Sequence, residues 1–93
     1  MINGNLTEFI DQLYYGQELV FMYEGRKYFV QGWWEDNVAT MVLDDVTIPE
    51  EKDYLWEYHA DNMRECADEF LAATIWDGKD FMQIQEQVTW SDW

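Results

Sequence analysis

Residues 18–44 read ELVFMYEGRKYFVQGWWEDNVATMVLD, and this stretch decides the fold. The blocks ELVFMYE and KYFVQGWW are rich in β-branched and aromatic residues, with Gly25 and Arg26 between them, which is the pattern of a β-hairpin. Glu35, Asp36 and Asn37 supply a second turn, since Asp and Asn tolerate the backbone conformations that turns require. VATMVLD follows, so three antiparallel strands are expected in meander order.

Upstream, Leu6, Phe9, Ile10 and Leu13 recur at helical spacing, with Asn5 and Glu8 placed as a capping box and Gly16 as a stop. The spacing predicts a helix over about residues 6–15. Downstream, Pro49 and its charged neighbours make residues 45–53 a loop, after which YLWEY alternates as a short fourth strand at a sheet edge. Asp61 or Asn62 caps a second helix through about Ala73, which buries Met63, Cys66, Ala67 and Phe70 along one side. Residues 74–79, with Asp77-Gly78, form a turn; Phe81, Ile84 and Val88 mark a last helix over about residues 79–87, before the tail TWSDW. The expected class is α+β: a helix, an antiparallel three- to four-stranded meander, then two helices packed on one sheet face, in a single domain spanning 1–93.

Composition narrows the partners. Hydrophobic residues make up 48% and aromatics 18%, too much apolar surface for a disordered acidic tail. Yet the formal charge is −15, from twenty acids against Arg26, Lys27, Lys52, Arg64 and Lys79, with one histidine. Direct binding of nucleic acid or of an anionic membrane is not expected, because phosphate neutralisation needs clustered Lys and Arg. The N-terminal MINGNLTEF lacks a basic region followed by an apolar one, and no apolar run approaches the roughly eighteen residues of a membrane span. With Cys66 as the only cysteine, a reducing, cytoplasmic setting is expected.

Catalytic signatures are missing. One histidine and one cysteine cannot make a two-histidine metal motif, and no glycine-rich phosphate loop or Gly-x-Ser-x-Gly elbow occurs. Cys66 falls on the apolar side of its helix and reads as a buried thiol; His59 reads as a surface or capping residue, lacking a nucleophilic partner. The loop acids lack calcium-loop spacing, and Pro49-Glu50-Glu51-Lys52 has only a faint likeness to half of a metal-dependent nuclease site. The expectation is therefore no enzyme and no cofactor.

The acids themselves carry more information. A rotation of about 100° per residue sets Asp61, Glu65, Asp68 and Glu69 on one helix face, opposite Met63, Cys66 and Phe70. A solvated outer face would look the same, but like charges at i,i+4 cost about 0.2–0.5 kcal/mol where a lysine would have gained as much. Glu35 and Asp36 add to the array from a turn, Asp44 and Asp45 from a strand end, and Glu50, Glu51 and Asp53 from a loop. From Glu35 to Glu69 there are twelve acids and only Lys52 and Arg64. Such carboxylates, held on a folded scaffold, could occupy sites that normally accept phosphates, each exchanging water for an Arg or Lys hydrogen bond.

The aromatics divide in the same way. Phe9, Phe21, Tyr23, Tyr28, Phe29, Trp34 and Phe70 suffice for a core, while Trp33, Trp56, Trp76, Trp90 and Trp93 cannot all point inward. Trp56, among acids, is the expected interface anchor, offering apolar area and a face on which arginine can stack.

In length, acidity and element order, and in no sequence motif, the chain resembles the small acidic anti-CRISPR proteins that inhibit type II-A Cas9. That resemblance implies an inhibitor whose acidic side chains occupy the basic surface that reads the PAM and its flanking duplex. GRKYFVQGWWEDN and IWDGKDF also look like segments of short bacterial proteins of open function. The expected partner is a basic nucleic-acid-binding protein, with Cas9 and its guide RNA as the specific candidate. The expected contacts are Glu35, Asp36, Asp44, Asp45, Glu50, Glu51, Asp53, Trp56, Asp61, Glu65, Asp68 and Glu69. Two rivals stand beside it: an interaction module, homodimeric or antitoxin-like, that uses an aromatic sheet face, and a small metal-dependent nuclease built on the loop acids.

Overall fold

The computed structural model describes residues 1–47 and 53–91. It is an α+β fold in which α1 (Leu6–Tyr14) precedes β1 (Leu19–Tyr23), β2 (Arg26–Glu35), β3 (Val38–Asp45) and β4 (Trp56–Ala60). Then come α2 (Met63–Ala72), the single turn α3 (Phe81–Ile84), a 3-10 turn (Gln85–Gln87) and β5 (Thr89–Ser91). The sheet order is β4-β3-β2-β1-β5, all pairs antiparallel. The meander is as expected, and the tail adds a fifth strand: Trp90 lies opposite Phe21 on β1.

Two-residue turns set the register. Tyr23 pairs with Arg26 across Glu24-Gly25, and Glu35 with Val38 across Asp36-Asn37. All four turn residues have positive φ, between 50° and 79°, the twist that matches tight hairpins. The first turn is thus Glu24-Gly25, one residue earlier than Gly25-Arg26, because Arg26 belongs to the ladder.

Strand periodicity then separates two faces. The inner face brings Leu19, Phe21, Tyr28, Val30, Ala39, Met41 and Leu43 against Phe9 and Leu13 of α1, Met63, Cys66, Ala67 and Phe70 of α2, and Phe81 and Ile84 of α3. Each helix has a side-chain cap: the Asn5 carboxamide accepts from Thr7 and Glu8, that of Asn62 from Glu65, and Asp80 forms a capping box with Gln83. The last helix is shorter than expected, since it tightens into the 3-10 turn so that Val88 can be buried and the chain can enter β5.

Tryptophan placement differs from expectation at one position, Trp34. Trp34, assigned to the core, is 56% exposed because it lies two residues beyond Gly32, towards the β2–β3 turn. Trp76, one of the five that could not all point inward, is buried edge-on to Phe21, Tyr28 and Phe70, because the Trp76–Lys79 bridge folds its turn back over the core. Trp93 lies outside the described residues.

The end of α1 is seated directly on β2. The Gly32 N–H donates to Gly16 O at 3.2 Å, and a Cβ at Gly32 would stand 2.6 Å from Met63 Sδ and 3.1 Å from Gly16 Cα. Only glycine fits there without a shift of α1 or of Met63. Gly32→Ala is expected to destabilise the fold by about 1–3 kcal/mol, the usual cost of overpacking, measured by urea or thermal unfolding.

Candidate acidic interface

The register carries the candidate residues to separate places. Glu35 and Asp36 occupy the β2–β3 turn; Ala60 pairs with Ala39, so Asp61 emerges at that same end of the sheet. Leu43 pairs with Trp56, which puts Asp44, Asp45 and Asp53 at the opposite end. Glu50 and Glu51 fall outside the described residues.

Asp44 and Asp45, adjacent in sequence, point to opposite faces and have opposite fates. Asp45 is buried, 6% exposed; its Oδ2 accepts from Arg26 Nε at 2.6 Å and its Oδ1 from the Thr47 N–H at 3.0 Å. Burial pushes its carboxyl up, but the Thr47 hydrogen bonds and the Arg26 hydrogen bond and charge outweigh it, and the net result lies below the ordinary value. Asp45 is therefore a structural half of an ion pair rather than surface that a partner would meet. Asp44 is half-buried on the face without helices, and its buried Oδ1 has no hydrogen-bond partner among the described residues. Burial first, then the Asp45 charge, raises its carboxyl above the ordinary value.

The stripe on α2 also divides. Asp68 faces α1, where the Tyr14 hydroxyl donates to its Oδ1 at 3.0 Å and Arg64 lies 4.9 Å above the Tyr14 ring. Glu65 and Glu69 face β4: the Glu69 carboxylate first, then burial and the Glu65 carboxylate, push the Tyr58 phenol above its ordinary value. Trp56 stacks on Tyr58 with centroids 6.1 Å apart and packs edge-on to Phe70 at 5.5 Å. It is half-buried, so the expected anchor is partly a core residue.

Together these placements form a rim. Asp53, Glu57 and Asp61 follow β4 and its ends, Glu65 and Glu69 flank it from α2, and all five are exposed. No lysine or arginine occurs between Asp53 and Asn62. Glu57 accepts from His59 Nε2 at 2.6 Å; among the described residues the other four form no ion pair. Glu57 was not anticipated, although the alternation of YLWEYHA opposes it to Trp56 and Tyr58 and so marks it as outward-facing.

His59 lies on β4, and the helix cap is Asn62 rather than His59. Its Nδ1 is 2.9 Å from Thr40 Oγ1, so the tautomer protonated on Nε2 donates to Glu57 and accepts from the Thr40 hydroxyl. Thr40 is 4% exposed, covered within the sheet. Cys66 is fully buried, and burial pushes its thiol up, away from the reactive thiolate. Among the described residues no group of three His, Cys, Asp or Glu side chains is placed to hold a metal ion. A groove of about 490 Å³ lined by Asn5, Glu8, Gln12, Met22 and Trp90 contains none of the candidate residues. No helix among the described residues is long and apolar enough to cross a membrane.

No protein-family model, curated protein or solved structure matches the chain.

Opposite pKa shifts give opposite pH dependence. Asp44, raised in the fold, costs stability at neutral pH, and that cost disappears as pH falls through its folded value towards the ordinary carboxylate value of about 3.9. Asp45, lowered in the fold, contributes stability above about 3.9 and loses it as pH falls through its folded value. Asp44→Asn should therefore stabilise at pH 7 by about 1 kcal/mol, the gain shrinking towards pH 4. Arg26→Gln should destabilise at pH 7 by about 1–2 kcal/mol, discounted because the Arg26 side chain is 45% exposed, with the loss fading in acid. Urea unfolding followed from neutral pH down through and below the ordinary carboxylate value of about 3.9 measures both.

Proposed function

We propose that the chain is a non-enzymatic inhibitor that mimics nucleic acid, docking carboxylates into the basic groove of a cytoplasmic nucleic-acid-binding protein. The anionic rim along β4 and α2 carries this reading: Asp53 and Asp61 stand at the two ends of the β4 edge, Glu57 on one of its faces and Glu65 and Glu69 on the other, without a lysine or arginine along the strand. Glu35 and Asp36 extend it at the turn beside Asp61. Three of these carboxylates, Glu57 on β4 and Glu65 and Glu69 on α2, have their backbone positions fixed by a strand or a helix, so binding a cationic surface orders little backbone anew. Their desolvation offsets much of the gain per pair, and the principal effects are steering and competition with the polynucleotide. By its resemblance to small acidic anti-CRISPR inhibitors, the specific target we propose is Cas9 loaded with guide RNA, blocked where it reads the PAM.

A second reading, a homodimeric or antitoxin-like module, has one observation in its favour. The outer sheet face carries half-buried Met22, Phe29 and Trp33 around buried Val20 and Val42, with none of the three helices packed on it. An interface there would depend little on salt.

Mimicry predicts that affinity for guide-loaded Cas9 falls about 10³-fold or more between 50 and 200 mM salt, as for proteins making several phosphate contacts, and that a PAM duplex competes. Glu65→Lys with Glu69→Lys should weaken inhibition about 10–100-fold, given about 1–3 kcal/mol for charge-assisted bonds, while Asp68→Asn changes it little. Unchanged inhibition by the double variant would remove this face from the mechanism.

A further inference from the structure

The sheet has two edges, and they are treated differently. At β5 the outer side is occupied: the Ile2 N–H donates to Val88 O at 2.8 Å, and the Trp90 N–H to Ile2 O at 3.4 Å. At β4, among the described residues, no strand pairs with the outer side. An open edge presents backbone donors and acceptors in a row, and natural sheets commonly guard such edges with charge, especially lysine. Here the guard is anionic. Glu57 stands on one face of the strand, Glu65 and Glu69 on the other, and Asp53 and Asp61 at its ends, while Tyr54 and Leu55, 48% and 49% exposed, adjoin its start.

We propose that β4 is a strand-addition site, and that its occupant is an extended segment of a partner protein that alternates basic and apolar residues. This rests on the reading above and gives its partner a contact element. Backbone pairing along residues 56–60 would supply register; because side chains alternate faces along a strand, the cations would meet Glu65 and Glu69 on the helix side and the apolar side chains would lie on the opposite face. Charge chooses among occupants. A second copy, also at −15, would bring Glu57 and its acidic neighbours against their own kind, whereas a strand with its basic residues on the helix side neutralises Glu65 and Glu69.

The test uses the full chain and a capped heptapeptide of alternating arginine and valine, with a glutamate–valine peptide as control. Amide hydrogen exchange should slow at residues 56–60 and not in β5, and Glu65→Gln with Glu69→Gln should weaken binding about 10-fold without lowering the unfolding midpoint. Protection spread equally to the acids of α1, or none at β4, would overturn the proposal. So would β4 protection without peptide in a species of doubled mass, which would make the occupant a second copy. If guide-loaded Cas9 is bound while β4 amides still exchange freely, the edge assignment fails and mimicry stands; if the peptide pairs with β4 and no nuclease is inhibited, mimicry fails and the edge assignment stands.

Discussion

Four phenylalanine rings from four elements meet on the inner side of the sheet: Phe9 from α1, Phe21 from β1, Phe70 from α2 and Phe81 from α3. Phe81 is the centre, stacked on Phe9 at 5.1 Å and in contact with Phe21 and Phe70 at 5.5 and 5.7 Å, all four fully buried. Burying large rings removes more apolar area per residue than any aliphatic side chain would, and edge-to-face geometry adds specificity of direction. Because each helix contributes one ring, the cluster fixes the rotation of every helix about its own axis. Displacing one ring would reorient all three.

That rotation is what turns composition into a surface. With Phe70, Cys66 and Met63 directed inward, Glu65 and Glu69 must lie along β4 and Asp68 along α1. One α2 carboxylate is thereby spent on an internal hydrogen bond with Tyr14, and two remain facing solvent beside an open strand. Asp45 makes a similar contribution within the sheet, holding Arg26. Acids that look equivalent in a list of charges thus divide into structural and available ones, and the division follows from which neighbour each meets.

The available acids are costly to keep. Asp44 illustrates the cost, with a buried carboxylate oxygen that has no partner among the described residues, next in sequence to a second carboxylate. A protein selected for stability alone would place a lysine beside some of these groups, as Arg26 stands beside Asp45. A surface that must repel its own copies and attract cations has reason to tolerate the repulsion, and both proposals offered above rest on that reason.

Local rules account for the parts of this molecule that depend on neighbours in sequence. The two hairpins, the Asn5 and Asn62 caps, the buried side of α2 and the anionic excess from Glu35 to Glu69 all follow from period, turn chemistry and composition. Helix, strand and cap are decided within a few residues. Tertiary structure alone decided that TWS becomes a strand, since β1 offers the free edge; that Trp76 is buried and Trp34 is not; that Asp45 belongs to Arg26; and that Glu57 joins Glu65 and Glu69 on one rim. Each of these depends on contacts between segments far apart in the chain, whose meeting is set by the shared core and carries no mark in the local pattern.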